Sequence, residues 1–196
     1  MTGLDGFWAA LDAVPVADDA EALYSEGTPE GRLRRANLSR YLDTVGPGAD
    51  TLLVAEAPGW RGMTNTGVPF TSVRELGPEY LVPPSPTAPW EASSRVVHAA
   101  LEGWHGPLPV AWAIFPHHPF VAGDRLTNRT PRPAEVRDGA PVALALLSAL
   151  GVSRVVAVGR KAQGALASAG IDAIAVRHPA QGGARQFTEQ LAALSR

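Results

Sequence analysis

The sequence contains no cysteine. That absence excludes disulfides, a cysteine nucleophile, a cysteine-held zinc ion and a cysteine-ligated iron–sulfur cluster. Lysine is almost missing as well: of 17 basic residues, 16 are arginine and the single lysine is Lys161. No segment reaches the ~18 consecutive apolar residues that cross a bilayer. Residues Met1–Ala13 lack the basic start and small-residue cleavage site of a secretory signal. The expectation is a soluble, cytoplasmic, monomeric chain with no membrane partner. Charged residues are few, 18% against 45% hydrophobic, so the 196 residues carry enough apolar material for one core of ordinary domain size, roughly 100–200 residues.

Bases are also lacking where acids gather. Seven of the 19 acids fall in residues 1–31, which hold no Lys or Arg, leaving 12 acids against all 17 bases over the rest of the chain. The overall charge of −2 therefore conceals a basic remainder. Arginine suits phosphate because its planar fork binds two oxygens at once. Such a surplus permits nucleic-acid binding, and it can equally reflect genome composition.

Apolar residues at helical spacing predict short helices over Gly3–Val14 and Asp18–Tyr24. Thr28-Pro29 then starts a helix running through Gly31–Val45, and Gly46-Pro47-Gly48 breaks it. Beyond it, β-branched runs at Thr51–Ala55, Val110–Phe115, Arg154–Val158 and Ala173–Arg177 alternate with helical stretches at Trp90–Trp104, Pro133–Leu150, Lys161–Ala169 and Ala184–Leu194. Alternation of this kind predicts right-handed crossovers and helices on both faces. The expected fold is α/β, a three-layer α/β/α sandwich around a central four-stranded, mainly parallel sheet. Residues 1–196 form one domain in this reading, with 1–48 a helical extension packed on it.

Sheets of this type keep their chemistry beyond the carboxyl ends of the strands. Four segments lie there, Glu56–Ser72, Pro116–Arg132, Gly159–Arg160 and His178–Gly183, and three of them carry candidate chemistry. Glu56 ends the first strand and begins a glycine-punctuated loop, Glu56-Ala57-Pro58-Gly59 to Gly67-Val68-Pro69-Phe70. It lacks the Gly-Lys-Ser/Thr ending of a phosphate loop and the spacing of a dinucleotide fingerprint; singly, it is also what an ordinary loop with an exposed glutamate looks like. The segment after the second strand carries His117-His118 and Asn128-Arg129-Thr130-Pro131. Adjacent histidines point apart on most backbones and no carboxylate stands at zinc-ligand spacing, so no metal is expected. After the last strand, His178-Pro179 precedes Gln181-Gly182-Gly183, a histidine placed to donate to an anion and glycines that let a backbone approach phosphate.

In this order the segments resemble the uracil-DNA glycosylase superfamily over about Leu52–Leu191. Glu56-Ala57-Pro58-Gly59 with Gly67-Val68-Pro69-Phe70 resembles the first motif of its bacterial and archaeal thermostable-type members. The resemblance implies a monofunctional N-glycosylase of base-excision repair that flips a deaminated base, uracil or one such as hypoxanthine, out of DNA. It makes Glu56 and His178 the catalytic pair. It assigns base contact to Ala57, Gly59, Trp60, Asn65, Phe70, Ala113, His117 and Asn128, and DNA contact to Arg61, Gln181, Gly182, Gly183 and Arg185. Two departures stand out. Relatives with this motif commonly hold a four-cysteine cluster, which this chain cannot, so no cofactor is expected. Where many relatives have an acting Asp or Asn, and an Asn that reads the pyrimidine, this sequence has Ala57 and Ala113. A silent DNA-binding member, or a nucleoside or nucleotide hydrolase on the same fold, stays open at this point.

Overall fold

A computed structural model describes residues 3–195. Four parallel strands, β2 (Thr51–Ala55), β3 (Val110–Ala113), β5 (Arg154–Val158) and β6 (Ile174–Val176), form a sheet in the order β3-β2-β5-β6. Leu52 pairs with Val110, Leu53 with Val156, and Ala157 with Ala175. Successive side chains on a strand point to opposite faces, and the core divides accordingly. Leu52, Val54, Val110, Trp112 and Ala157 enter one cluster, with Phe7 and Leu11 of α1 (Asp5–Asp12), Leu38 and Leu42 of α2 (Pro29–Val45), Leu146 of α5 (Pro133–Leu150) and Leu166 of α6 (Arg160–Ser168). Leu53, Ala111, Val156 and Val158 enter the other, with Val97 of α4 (Ala92–Glu102) and Phe187 and Leu191 of α7 (Ala184–Leu194). Both faces are covered, which is why the strands read as unbroken apolar runs rather than alternating ones. The architecture is the α/β sandwich read from the sequence.

Local chemistry sets the helix ends. The Thr28 hydroxyl accepts the Gly31 N–H at 3.0 Å and Pro29 opens α2, an N-cap followed by a residue whose missing donor costs nothing there. Helix α5 begins at Pro133, with the Glu135 carboxylate accepting the Arg132 N–H at 2.7 Å, and stops at Gly151 with φ +65°. Between β2 and α4 lie the short helix α3 (Met63–Thr66) and a 3₁₀ turn, Val73–Glu75.

The second helix expected from the sequence, Asp18–Tyr24, does not form. Instead β1 (Ala20–Glu21) pairs antiparallel with β4 (His118–Pro119). Its apolar residues still reach the core, where Leu23 and Tyr24 are buried, so the spacing was real and the conformation was not. Ion pairs decide the outcome. Asp19 takes a two-pronged contact from Arg129, at 3.1 and 2.9 Å, and another from Arg132 at 2.8 Å; Arg34 holds Glu21 at 2.7 Å. Arg129 then grips Glu135 through two bonds of 2.7 Å. A helix over 18–24 would turn these acids away from their partners, and tertiary pairing overrides a weak local preference. The expected strand Val110–Phe115 ends formally at Ala113, yet Ile114 and Phe115 still donate to the Ala55 and Glu56 carbonyls at 2.9 and 3.1 Å.

Four of the seven acids in the first 31 residues are thus paired internally, Asp12 and Glu26 with Arg35. Hydrogen bonds from Arg132 and Arg129 hold the Asp19 carboxyl far below the ordinary range. Burial pushes Glu21 and Glu135 up, but His118 and Arg34 at Glu21, and Arg129 at Glu135, outweigh it and lower both. Groups lowered in this way bind fewer protons folded than unfolded, so their stabilisation is complete above pH ~4.5 and is lost as pH falls below it. Thermal unfolding is expected to give a level Tm at neutral pH that drops steeply on acidification. Asp19→Asn should lower Tm at pH 7 and flatten the acid limb; an unchanged limb would place the pH dependence elsewhere.

Candidate active site

The carboxyl ends of the strands open into a cavity of about 470 Å³. Strand β2 delivers its first wall. The Phe115 N–H to Glu56 carbonyl bond carries the ladder one residue past the strand, which aims Glu56 at the opening. Ala57, Gly59 and Phe70 follow from the same loop, Ala113 comes from the end of β3, Asn128 from the loop before α5, and His178 and Gln181 from the loop after β6. Residues separated by more than a hundred positions meet here because all the parallel strands end on one side.

His178 has a defined tautomer. The Ala180 N–H donates to its Nδ1 at 3.1 Å, so the neutral ring carries its proton on Nε2 and presents a donor. Burial, with the charges of Arg177 and Lys161 added, holds its pKa below the ordinary histidine value, which favours that neutral form. Gly159 sits behind it at φ +91°, where an added Cβ would lie 3.0 Å from the His178 Cβ; the close approach and the positive φ both require glycine.

Glu56 is half-buried and Lys161 Nζ stands 3.5 Å from its Oε2. Burial raises its pKa, and Lys161 offsets only part of the rise. A second carboxylate, Glu91, also lines the cavity. It lies against the Gly59–Gly62 turn so closely that a Cβ on Gly62 would fall on its Oε2. Burial pushes this carboxyl up too, against a hydrogen bond from Ser93 and the charge of Arg61.

Phe70 and Gln181 are the two non-glycine residues with positive φ, +52° each, among the described residues, and both line the cavity. Left-handed backbone costs a side-chain-bearing residue roughly 1–2 kcal/mol, and strain of this kind collects at functional sites. Asn128 is held by its oxygen: Oδ1 accepts the Trp60 N–H at 3.0 Å and shares the His118 Nε2–H, at 3.2 Å, with the Thr127 carbonyl at 2.9 Å. Its amide N–H₂ is left as the group to present.

Other residues singled out in the sequence lie off the cavity wall. The Asn65 amide is consumed in pinning the proline-rich loop, donating to the Trp60 carbonyl at 3.2 Å and accepting from the Thr87 N–H at 2.9 Å. His117 is buried edge-on against Phe115, its pKa lowered by burial to about 4. His117 and His118 thus face different partners. Trp60 flanks the wall with Arg61 stacked over its ring at 4.5 Å. Beyond Gln181, Gly182 continues the turn at φ +76°. The Gly183 N–H is taken by the Ala180 carbonyl at 3.1 Å, and Arg185 is exposed on α7, 3.6 Å from Glu189.

Glu91, Ser93, Arg160, Lys161 and Arg177, to which sequence reasoning assigned no site role, also line the cavity, although Gly159–Arg160 was expected at the chemical edge of the sheet. For Arg160 and Lys161 a signal existed, since they follow Gly159 at the carboxyl end of β5. For Glu91 only the packing against side-chain-free Gly62 reveals the role.

No family model matches the chain, and neither does any curated protein. A solved structure does. The chain is similar in fold to SMUG2 of Pedobacter heparinus. The match to that wild-type crystal structure has a TM-score of 0.71 and spans 96% of this chain and 94% of that one at 15% sequence identity. At that identity the likeness is one of fold. No helix among the described residues is long and apolar enough to cross a membrane.

The tautomer of His178 is directly measurable. Nitrogen-15 spectra at neutral pH should show its ring neutral with Nε2 protonated, titrating below the free-histidine value of about 6.5. A neutral ring with its proton on Nδ1 would remove the donor from the cavity, and a ring protonated at pH 7 would present a cationic donor in place of a neutral one.

Proposed function

We propose that the protein is a DNA glycosylase that hydrolyses the N-glycosidic bond of a deaminated base, uracil or a related product such as hypoxanthine. The observation that carries this reading is a neutral histidine donor and a half-buried carboxylate in the walls of one cavity. The fold likeness to SMUG2, a DNA glycosylase, supports it, as do the motifs around Glu56, Phe70 and His178.

The roles follow from the charge that develops as the bond breaks. The sugar becomes cationic, and Glu56 stabilises it and orients water, as carboxylates do in glycosidases. The leaving base becomes anionic, and the Nε2–H of His178 donates to its oxygen without first losing a charge of its own. Phe70 offers the flipped base an aromatic face. Asn128 has only donors free, which matches what deamination creates: a carbonyl where the parent base carried an amine. In this reading Asn128 takes over the base-reading role left vacant by Ala113. Arg160, Lys161 and Arg177 at the wall, with Arg61, Gln181, Gly182 and Arg185 around it, meet the DNA backbone and the gap left by the flipped nucleotide; flipping costs a few kcal/mol.

Single-turnover cleavage of strands bearing uracil, hypoxanthine or xanthine, developed with alkali, tests the reading. Glu56→Gln and His178→Ala are each expected to slow base release roughly ten-fold or more. No release from any lesion would sink the base-excision reading. Affinity for DNA should fall with added salt, since phosphate contacts displace counterions; salt-independent binding would argue against the basic rim.

A further inference from the structure

Lys161 is the only lysine in the chain, and it stands in the cavity wall. It occupies the first turn of α6, two residues after Gly159. Its Nζ donates to the Thr130 hydroxyl at 2.6 Å and lies 3.5 Å from Glu56 Oε2, while 65% of the side chain stays open to solvent. A primary amine, a carboxylate 3.5 Å from it and an open approach are elements that imine chemistry on an aldehyde uses. An arginine would serve equally for phosphate contact or for pairing with Glu56, as 16 other positions in this chain attest. It could not form an imine.

We infer that Lys161 gives the protein a second activity, cleavage of the DNA strand at an abasic deoxyribose through an imine between Nζ and C1′. The inference rests on reading the cavity as a deoxyribose pocket, and it departs from the monofunctional enzyme that the sequence resemblance implies. Glu56 takes a proton from the ammonium group. The Nζ lone pair then adds to C1′ of the ring-opened aldehyde, giving a carbinolamine. Glu56 returns its proton to the carbinolamine hydroxyl, which leaves as water, and a protonated imine remains. The freed carboxylate removes a C2′ proton, and the C–H electron pair forms the C1′=C2′ bond of an enamine. Collapse of the enamine makes C2′=C3′ and breaks the C3′–O bond, whose electrons leave with the phosphate. Water hydrolyses the imine, releasing the unsaturated aldehyde and restoring the amine. No oxidant or reductant is consumed. Burial of Glu56, which raises its proton affinity, suits it to each of these transfers.

The test uses the full chain and DNA carrying an abasic site prepared chemically, so that no base release is needed. With sodium borohydride present, a covalent protein–DNA complex is expected, its adduct mapping to Lys161 by mass spectrometry. Without borohydride, the strand should be incised, leaving an unsaturated aldehyde at its 3′ end. K161R keeps the positive charge beside Glu56 and cannot form the imine; with an unchanged circular dichroism spectrum and Tm, it should lose the complex entirely. E56Q should be trapped more slowly and incise at least ten-fold more slowly, both at Lys161. Absence of both complex and incision in the wild-type chain would overturn the inference, as would a complex that persists in K161R. Trapping without base release from any lesion would support the inference and count against the excision reading; base release without trapping would do the reverse.

Discussion

Both faces of the parallel sheet are buried, and the rest of the molecule follows from that constraint. With Leu52 and Val54 committed to one side and Leu53 to the other, the strands have no face left for polar chemistry. It must sit where they end. Parallel connection puts the ends of β2, β3, β5 and β6 on one edge, so Glu56, Ala113, Gly159 and His178 converge where each strand ends. Burial there is partial, which perturbs both carboxylates and the histidine while leaving them reachable.

The first 31 residues are tied to this arrangement through charge. Asp19 and Glu21 engage Arg129, Arg132 and Arg34, and the β1–β4 pairing sets Glu21 beside the fully buried His118. His118 in turn bonds Asn128, which also holds Trp60. A line of polar contacts thus runs from the acidic start to the cavity wall. It fixes which atom of Asn128 is spent on structure and which remains for a ligand. The arginines used in it are engaged within the chain, while Arg160, Lys161 and Arg177 line the opening.

Within one cavity wall, titratable groups show opposite tendencies. Burial favours a protonated Glu56 and a neutral His178, and Lys161 opposes the first effect while reinforcing the second. Lys161 thus works against burial at the carboxylate, whereas at the histidine burial, then Arg177 and Lys161, all favour the neutral ring. Such divergence of neighbouring titratable groups is what acid–base chemistry near neutral pH requires.

Much of this was legible in the sequence. The runs Thr51–Ala55 and Arg154–Val158 and the helices Pro133–Leu150 and Ala184–Leu194 stand where periodicity put them, because in each the local preference and the buried face agree. Glu56, Phe70 and His178 could be placed at one edge since a strand end fixes where the next residue goes. Other features depended on partners distant in sequence. Residues 18–24 carry helical spacing, yet arginines 110 and 113 positions away from Asp19 draw that segment into a strand. Asn65 and Asn128 look alike as sequence, and only the third dimension spends one on Thr87 and leaves the other an amide to offer. Sequence alone determined the layered α/β fold and the edge that holds the chemistry, since both follow from short-range pattern. Tertiary structure decided which charges neutralise one another, and it placed a lone lysine beside a glutamate 105 residues earlier. Ion pairing and burial depend on distance in space, which no pattern along the chain encodes.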